Sequence, residues 1–308
     1  MASGARPPSG TQHEIRHADQ VAVVTEVGGT LRSYRVGDRD VVQGFAEDAL
    51  PDGARGQVLA PWPNRVEDGR YTWDGAELQL AVSEVDKHNA IHGLVRWAGW
   101  RLAGRSDAAL TMATTVWPTP GYPFLLELTA TYALADEGLT VTLRARNDGG
   151  TPAPYGVGHH PYLLAGPSAV SVDTLRLTVP ARTRLLGDER RNPVGREPVA
   201  GTEHDFRTAR AVGDLALDAT YTDLTRDDDG WVRVRLETGD GSGVELRADR
   251  ATRWLQVFSG ETLPPGRART ALAVEPMSCP PGAFRSGEDL VRLQPGDAHE
   301  LVWGLRAW

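Results

Sequence analysis

The chain has 308 residues, 40% hydrophobic and 24% charged, which is enough for one large domain or two ordinary ones with a sizeable core. Its formal net charge of −8 is spread among interspersed acids and bases, which excludes the concentrated basic stripe that a nucleic-acid surface needs. A single cysteine, Cys279, excludes an internal disulfide, and no apolar run approaches the roughly 18 residues of a membrane span.

In chain order, the first segment is "MASGARPPSGTQHEIRH", rich in Gly, Pro and Ser and without an apolar run of signal-peptide length. It predicts a loose tail over residues 1–12, a single domain over 13–308 and a cytoplasmic protein. Period-two alternation then recurs along the chain. "QVAVVTEVG", "LRSYRVG", "LELTATYAL", "LTVTLRARN", "VRVRLETG", "VELRAD" and "WLQVFSG" read as strands bounded by Gly, Asp and Asn turns. In 139–147, Leu139, Val141, Leu143 and Ala145 are expected inside, with Thr140, Thr142, Arg144 and Arg146 toward water. "ADEGLT" before that strand is a hairpin signal, and "LTRDDDGWV" (224–232) is a solvated turn. No long window carries a helical period, and the 34 glycines and 21 prolines punctuate the whole chain. The fold class is therefore all-β, a large antiparallel β-sandwich or barrel, without the fixed-period repeat of a propeller or solenoid.

Five polar islands interrupt the strands: 61–71, 88–100, 156–163, 216–224 and 273–284. On a strand scaffold such interruptions tend to carry function, although each alone also fits a capped turn. The stretch "GVGHHPYL" holds two of the chain's eight histidines. Side-chain alternation puts His160 and Tyr162 on one face and His159 on the other. Gly156, Gly158 and Pro161 predict a bend or bulge that aims one imidazole out of the sheet. Glu275 ends the apolar strand "LAVEP", where desolvation turns a carboxylate into a better base; pairing with an arginine such as Arg65 is the structural alternative. Asn64, Arg65, His92, Arg96 and Asp218 are hydroxyl-binding residue types, with Trp62, Trp97 and Tyr162 among them. Flat aromatic faces beside such groups suit a sugar. Trp100, Trp254, Trp303 and Trp308 are assigned to the core. A metal centre competes on the histidine pair alone, but Cys279 between prolines adds little to it.

Taken in order, "NRV" (64–66), "NAIHG" (89–93), "GHHPYL" (158–163), "LDATYTDL" (217–224) and "VEPMSCPPGAF" (274–284) resemble the aldose 1-epimerase (galactose mutarotase-like) family. "NAIHGLVRW" is similar to a bacterial subgroup that includes a sulfoquinovose mutarotase. The resemblance implies a galactose mutarotase-like supersandwich, no cofactor or metal, and interconversion of the α and β anomers of a free aldohexose or related sugar. By motif, it implies His160 as acid, Glu275 as base, and Arg65, His92 and Asp218 as substrate-binding residues. "HGLVRW" departs from the "HGG"-type turn of galactose mutarotases, which puts galactose itself in question.

The chemistry expected is general acid–base ring opening, with Glu275 taking the O1 proton and an imidazolium of His160 protonating O5. A nearby carboxylate is expected to raise the histidine's value. Two alternatives stand beside this. One is a non-catalytic carbohydrate-binding protein, which needs the aromatics, Arg65 and His92 but not both Glu275 and His160. The other is a mutarotase for an anionic sugar, such as sulfoquinovose or a hexose 6-phosphate, read by Arg96. The expected partner is a small-molecule sugar, with no nucleic acid or membrane; oligomeric state is unreadable, because strand-edge exposure is not visible in sequence.

Overall fold

The computed structural model describes residues 6–166 and 170–308. Its strands form two large antiparallel sheets and several small ones, and the sheets share one contiguous apolar core. The nine-stranded sheet runs in the order Arg101–Arg105, Ala109–Val116, Leu126–Ala135, Gly138–Asn147, Ala298–Ala307, Gly243–Ala248, Val232–Glu237, Arg176–Thr178, Arg210–Ala211. Its alternation is regular. Leu139, Val141, Leu143 and Ala145 are buried, while Arg144 and Arg146 are exposed. The tight turn at Asp136–Glu137 pairs Ala135 with Gly138, whose φ of 108° and closeness to the Leu305 carbonyl leave no room for a side chain.

The eight-stranded sheet runs Pro193–Pro198, Ala181–Gly187, Asp218–Leu224, Trp254–Phe258, Leu272–Met277, Gly158–His159, Val58–Leu59, with Tyr162–Leu163 also paired to Leu272–Met277. The strands predicted from alternation all form, and 225–231 is the solvated turn expected, its Asp227 and Asp229 held by Arg233. The only helical turns among the described residues are Ala283–Ser286 and Val172–Thr174, and no helix is long and apolar enough to cross a membrane.

Two expectations are corrected. The loose tail over 1–12 does not hold from residue 6 onward: Arg6 pairs with Glu26, Ser9 is buried, and a strand begins at Gln12. Residues 1–5 lie outside the described residues. Trp308 is 44% exposed, because it closes the rim of the last strand rather than the core. Gly156 and Gly158 keep ordinary φ values; they are small because a Cβ at 156 would lie 2.3 Å from Cys279 Sγ and one at 158 would crowd Met277 and Pro63.

Candidate active site

The "GHH" segment is a broken strand rather than a smooth one. Gly158 pairs with both Met277 and Leu59, the ladder stops after His159, and Pro161 separates it from Tyr162–Leu163. The two imidazoles therefore look opposite ways. His159 points inward, its ring 4.9 Å from that of Trp303 and its Nε2 3.2 Å from the Tyr132 hydroxyl. His160 points outward and stacks on Tyr162, with centroids 5.0 Å apart and planes 13° from parallel.

Glu275 reaches the same place from the centre of the sheet. Its strand, Leu272–Met277, is flanked by Trp254–Phe258 and by the histidine segment, so its carboxylate stands 3.2 Å from His160 Nε2. Glu275 is 2% exposed and His160 4%. The arginine pairing considered for Glu275 is not formed. Arg65 instead forks onto Glu84, with bonds of 2.8 and 2.7 Å, and Glu275 Oε2 meets no hydrogen-bonding group of the protein. A buried carboxylate with a free oxygen is costly unless something else uses it.

Around the pair lies a cavity of about 300 Å³ lined by eight of the residues singled out in the sequence: Asn64, Arg65, His92, Trp97, His160, Tyr162, Asp218 and Glu275. Trp97 is half exposed at its rim, whereas Trp62 is buried against Phe284. Asp218 begins its strand and accepts from Gln256 Nε2 at 2.6 Å. Arg96 also lines the cavity, and among the described residues no carboxylate lies within ion-pair distance of it, so its guanidinium is the unneutralised charge of the site.

Asn64 and His92 both hold left-handed backbone, at φ 52° and 62°. They are bound to each other. The His92 amide donates to the Asn64 carbonyl at 2.8 Å, and the Asn64 amide donates to His92 Nδ1 at 3.2 Å. Because Nδ1 accepts, the proton of the neutral ring sits on Nε2, which becomes a donor toward the cavity. Gly93 completes the turn; a Cβ there would lie 1.9 Å from the Ala60 carbonyl oxygen.

Ligand atoms of His92, His160 and Glu275 lie within 4.8 Å of one another, a spacing that a metal ion could use. The tautomer argues against that use, since an Nε2 that carries hydrogen has no lone pair to give.

Burial sets the proton chemistry. Desolvation, with smaller effects from the charges of Arg55 and Arg96, holds His160 down at about 3, and desolvation pushes the Glu275 carboxyl well above the usual range. The expectation that the carboxylate would raise His160 is corrected: loss of water outweighs the neighbour. Burial also keeps His92 neutral. The pair thus holds one proton and no net charge, as a carboxylic acid beside a neutral imidazole.

Two contributors were missed in the sequence. Gln256 shows a signal in retrospect, a polar residue between the core positions Leu255 and Val257 of "WLQVF", on the cavity face opposite Glu275; it sits between Asp218 and the Thr220 hydroxyl, which donates to it. Arg55 shows none. Only 1% exposed, it bonds Asp52 at 2.9 Å and lies 4.1 Å over the Tyr162 ring on which His160 stacks.

A family model described as "Aldose 1-epimerase" matches residues 11–306. The protein YihR of Escherichia coli K12, described as uncharacterized, is 35% identical over 298 residues, covering 96% of this chain and 93% of that one. The galactose mutarotase of Sus scrofa is 31% identical over 211 residues, covering 64% and 60%. A galactose mutarotase-like protein from Clostridium acetobutylicum superposes with a TM-score of 0.84 at 14% identity over 96% of this chain and 94% of that one, a likeness of fold.

Proposed function

This chain belongs to the aldose 1-epimerase family, and we propose that it interconverts the α and β anomers of a free aldohexose or related sugar, with Glu275 and His160 as its proton-exchanging pair. The observation that carries the reading is the 3.2 Å approach of these two buried side chains at the wall of a sugar-sized, hydroxyl-binding cavity. A protein that only binds sugar does not need a buried carboxylate and an imidazole set this close together.

In the reaction, the carboxylate of Glu275 takes the O1 proton, C1=O forms, the C1–O5 bond breaks, and O5 takes the proton of His160. The C1–C2 bond then rotates, and the same steps in reverse close the ring on its other face. Opening converts imidazolium and carboxylate to imidazole and carboxylic acid, and closure converts them back. The pair holds one proton throughout, so a turnover needs none from solvent. Substrate hydroxyls, with the Nε2–H of His92, Arg65 and Asp218, supply the polar contacts that make the charged state accessible at a site where burial otherwise opposes it. The chemistry calls for no cofactor. We place this activity in a single cytoplasmic domain. Polarimetry on freshly dissolved α-glucose and α-galactose tests the reading; no acceleration over buffer with either, or with the anionic sugars below, would reject it.

A second reading concerns the substrate. Arg96 is largely buried, lines the cavity and lacks an acidic partner, which favours a sugar with an anionic substituent. Arg96→Met should lower kcat/KM for a 6-sulfo or 6-phospho hexose by about tenfold to a hundredfold more than for the neutral hexose, the worth of a charged hydrogen bond. Equal effects on both would remove the anion from the argument.

A further inference from the structure

Anomer exchange needs Glu275 and His160 at one sugar ring, because O1 and O5 share a carbon. It does not need a proton to pass directly between them, since ring closure returns both protons through the sugar. Yet His160 Nε2 lies 3.2 Å from Glu275 Oε1, a separation that a proton can cross. Oε2 of the same carboxylate meets no hydrogen-bonding group of the protein. A direct route for the proton is superfluous to a reaction that resets itself. It is required by one that opens the same C1–O5 bond and never closes it.

Hydrolysis of a 1,5-lactone is such a reaction, and three features of the cavity meet its demands. The first is space. A site that serves both anomers takes O1 on either face of C1, and a lactone to which water has added carries an oxygen on both faces at once. The second is the base, whose free Oε2 can face a water in the place of the anomeric hydroxyl. The third is a donor for the negative oxygen of the tetrahedral intermediate. A ring nitrogen of His92 lies within 4.8 Å of ligand atoms of both His160 and Glu275, and with Nδ1 held by the Asn64 amide its Nε2–H is a neutral donor. The charges of Arg55 and Arg96, which disfavour imidazolium at His160, favour an anionic intermediate.

We propose that this cavity also hydrolyses the 1,5-lactones of aldonic acids, an activity that rests on the anomer-exchange reading above. The Glu275 carboxylate takes a proton from water as the water oxygen bonds to C1, and the C1=O electron pair moves onto O1. That pair then re-forms C1=O, the C1–O5 bond breaks, and O5 takes the proton of the His160 imidazolium. One lactone and one water give one aldonic acid, with no oxidant or reductant. The pair is left as carboxylic acid and imidazole, and the proton returns from Glu275 to His160 across their direct contact before the next turnover.

The test follows acid release at constant pH from D-glucono-1,5-lactone and from its 6-phosphate, against the rate in buffer. Polarimetry on α-glucose and on glucose 6-phosphate is run on the same preparation. For the lactone whose sugar is exchanged, the expected acceleration over buffer is about tenfold or more, competed away by that sugar and lost in Glu275→Gln and in His160→Asn. A sugar that is exchanged while its lactone stays at the buffer rate overturns the proposal. So does hydrolysis that the sugar does not compete away, or that survives in either variant. Competition is read on the wild type, so it decides even where a variant fails to fold. Exchange of neither sugar counts against the mutarotase reading instead. Lactone hydrolysis is then judged alone: acceleration lost in both variants supports it, and no acceleration overturns it.

Discussion

His159 and His160 are neighbours in sequence and equally withdrawn from water, yet they belong to opposite faces of one sheet. On the inner face, His159 lies under Trp303 and beside the Tyr132 hydroxyl, among residues of the nine-stranded sheet. On the outer face, His160 meets Glu275, Tyr162 and the edge of His92. Desolvation depresses both to about 3. Burial and a perturbed proton affinity thus do not mark a working residue. What separates the two is the company of a second titratable group at hydrogen-bond range and a cavity beside it.

The largest break in this comparison comes from the outer face. Glu275→Gln and His160→Asn should each lower kcat by about 10²–10⁴. Glu275→Gln should also raise the melting temperature at pH 7. The folded carboxyl keeps its proton above 4.5, where the unfolded one releases it, so Glu275 loses stability for the protein as pH rises above that value. The gain from Gln should shrink to nothing near pH 4.5. A Glu275→Gln protein that is active, or one that is no more stable at pH 7, contradicts the assignment.

A smaller effect tests the stack behind His160. Arg55→Met removes a positive charge that disfavours imidazolium, so the acid limb of the kcat–pH profile should move to higher pH. An unmoved limb with merely lowered stability would reduce Arg55 to a structural role. On the inner face, His159→Phe should keep the activity and change only the response to acid. A group with a folded value near 3 and an unfolded value near 6.5 withdraws about 1.4 kcal/mol per pH unit between those values as pH falls. The variant should therefore unfold in acid with a shallower slope below pH 6.5. The smallest expected effect is that of chelation: dialysis against EDTA should leave the rate unchanged, and a loss restored by zinc would turn His92, His160 and Glu275 into a metal centre.

Much of this was legible beforehand, and for identifiable reasons. Alternation in 126–147 specifies strand and face together, because a one-residue slip would expose Leu139, Val141 and Leu143. The opposed directions of His159 and His160 follow from the same period. Arg55 was illegible, since a loop arginine gives no sign that folding will seal it over a tyrosine. So was the partner of Arg65, because Glu84 lies in an irregular stretch with no periodicity to place it. The environment of His160 was misjudged for a related reason: charge neighbours can be guessed from motifs, but the depth of water exclusion depends on how whole sheets close.

The two segments that carry Asn64, Arg65, His92, Arg96 and Trp97 are tied to one another through the Asn64–His92 exchange and through Glu84, which holds both Arg65 and Asn89. Of the proposed proton-exchanging pair, Glu275 sits instead on a central strand of the sheet and His160 in the break after Gly158–His159. On the proposed function, most of the recognition residues thus lie apart in the chain from the proton pair, and exchanging segment 61–97 for that of a relative is expected to change the preferred sugar while the proton pair stays where it is.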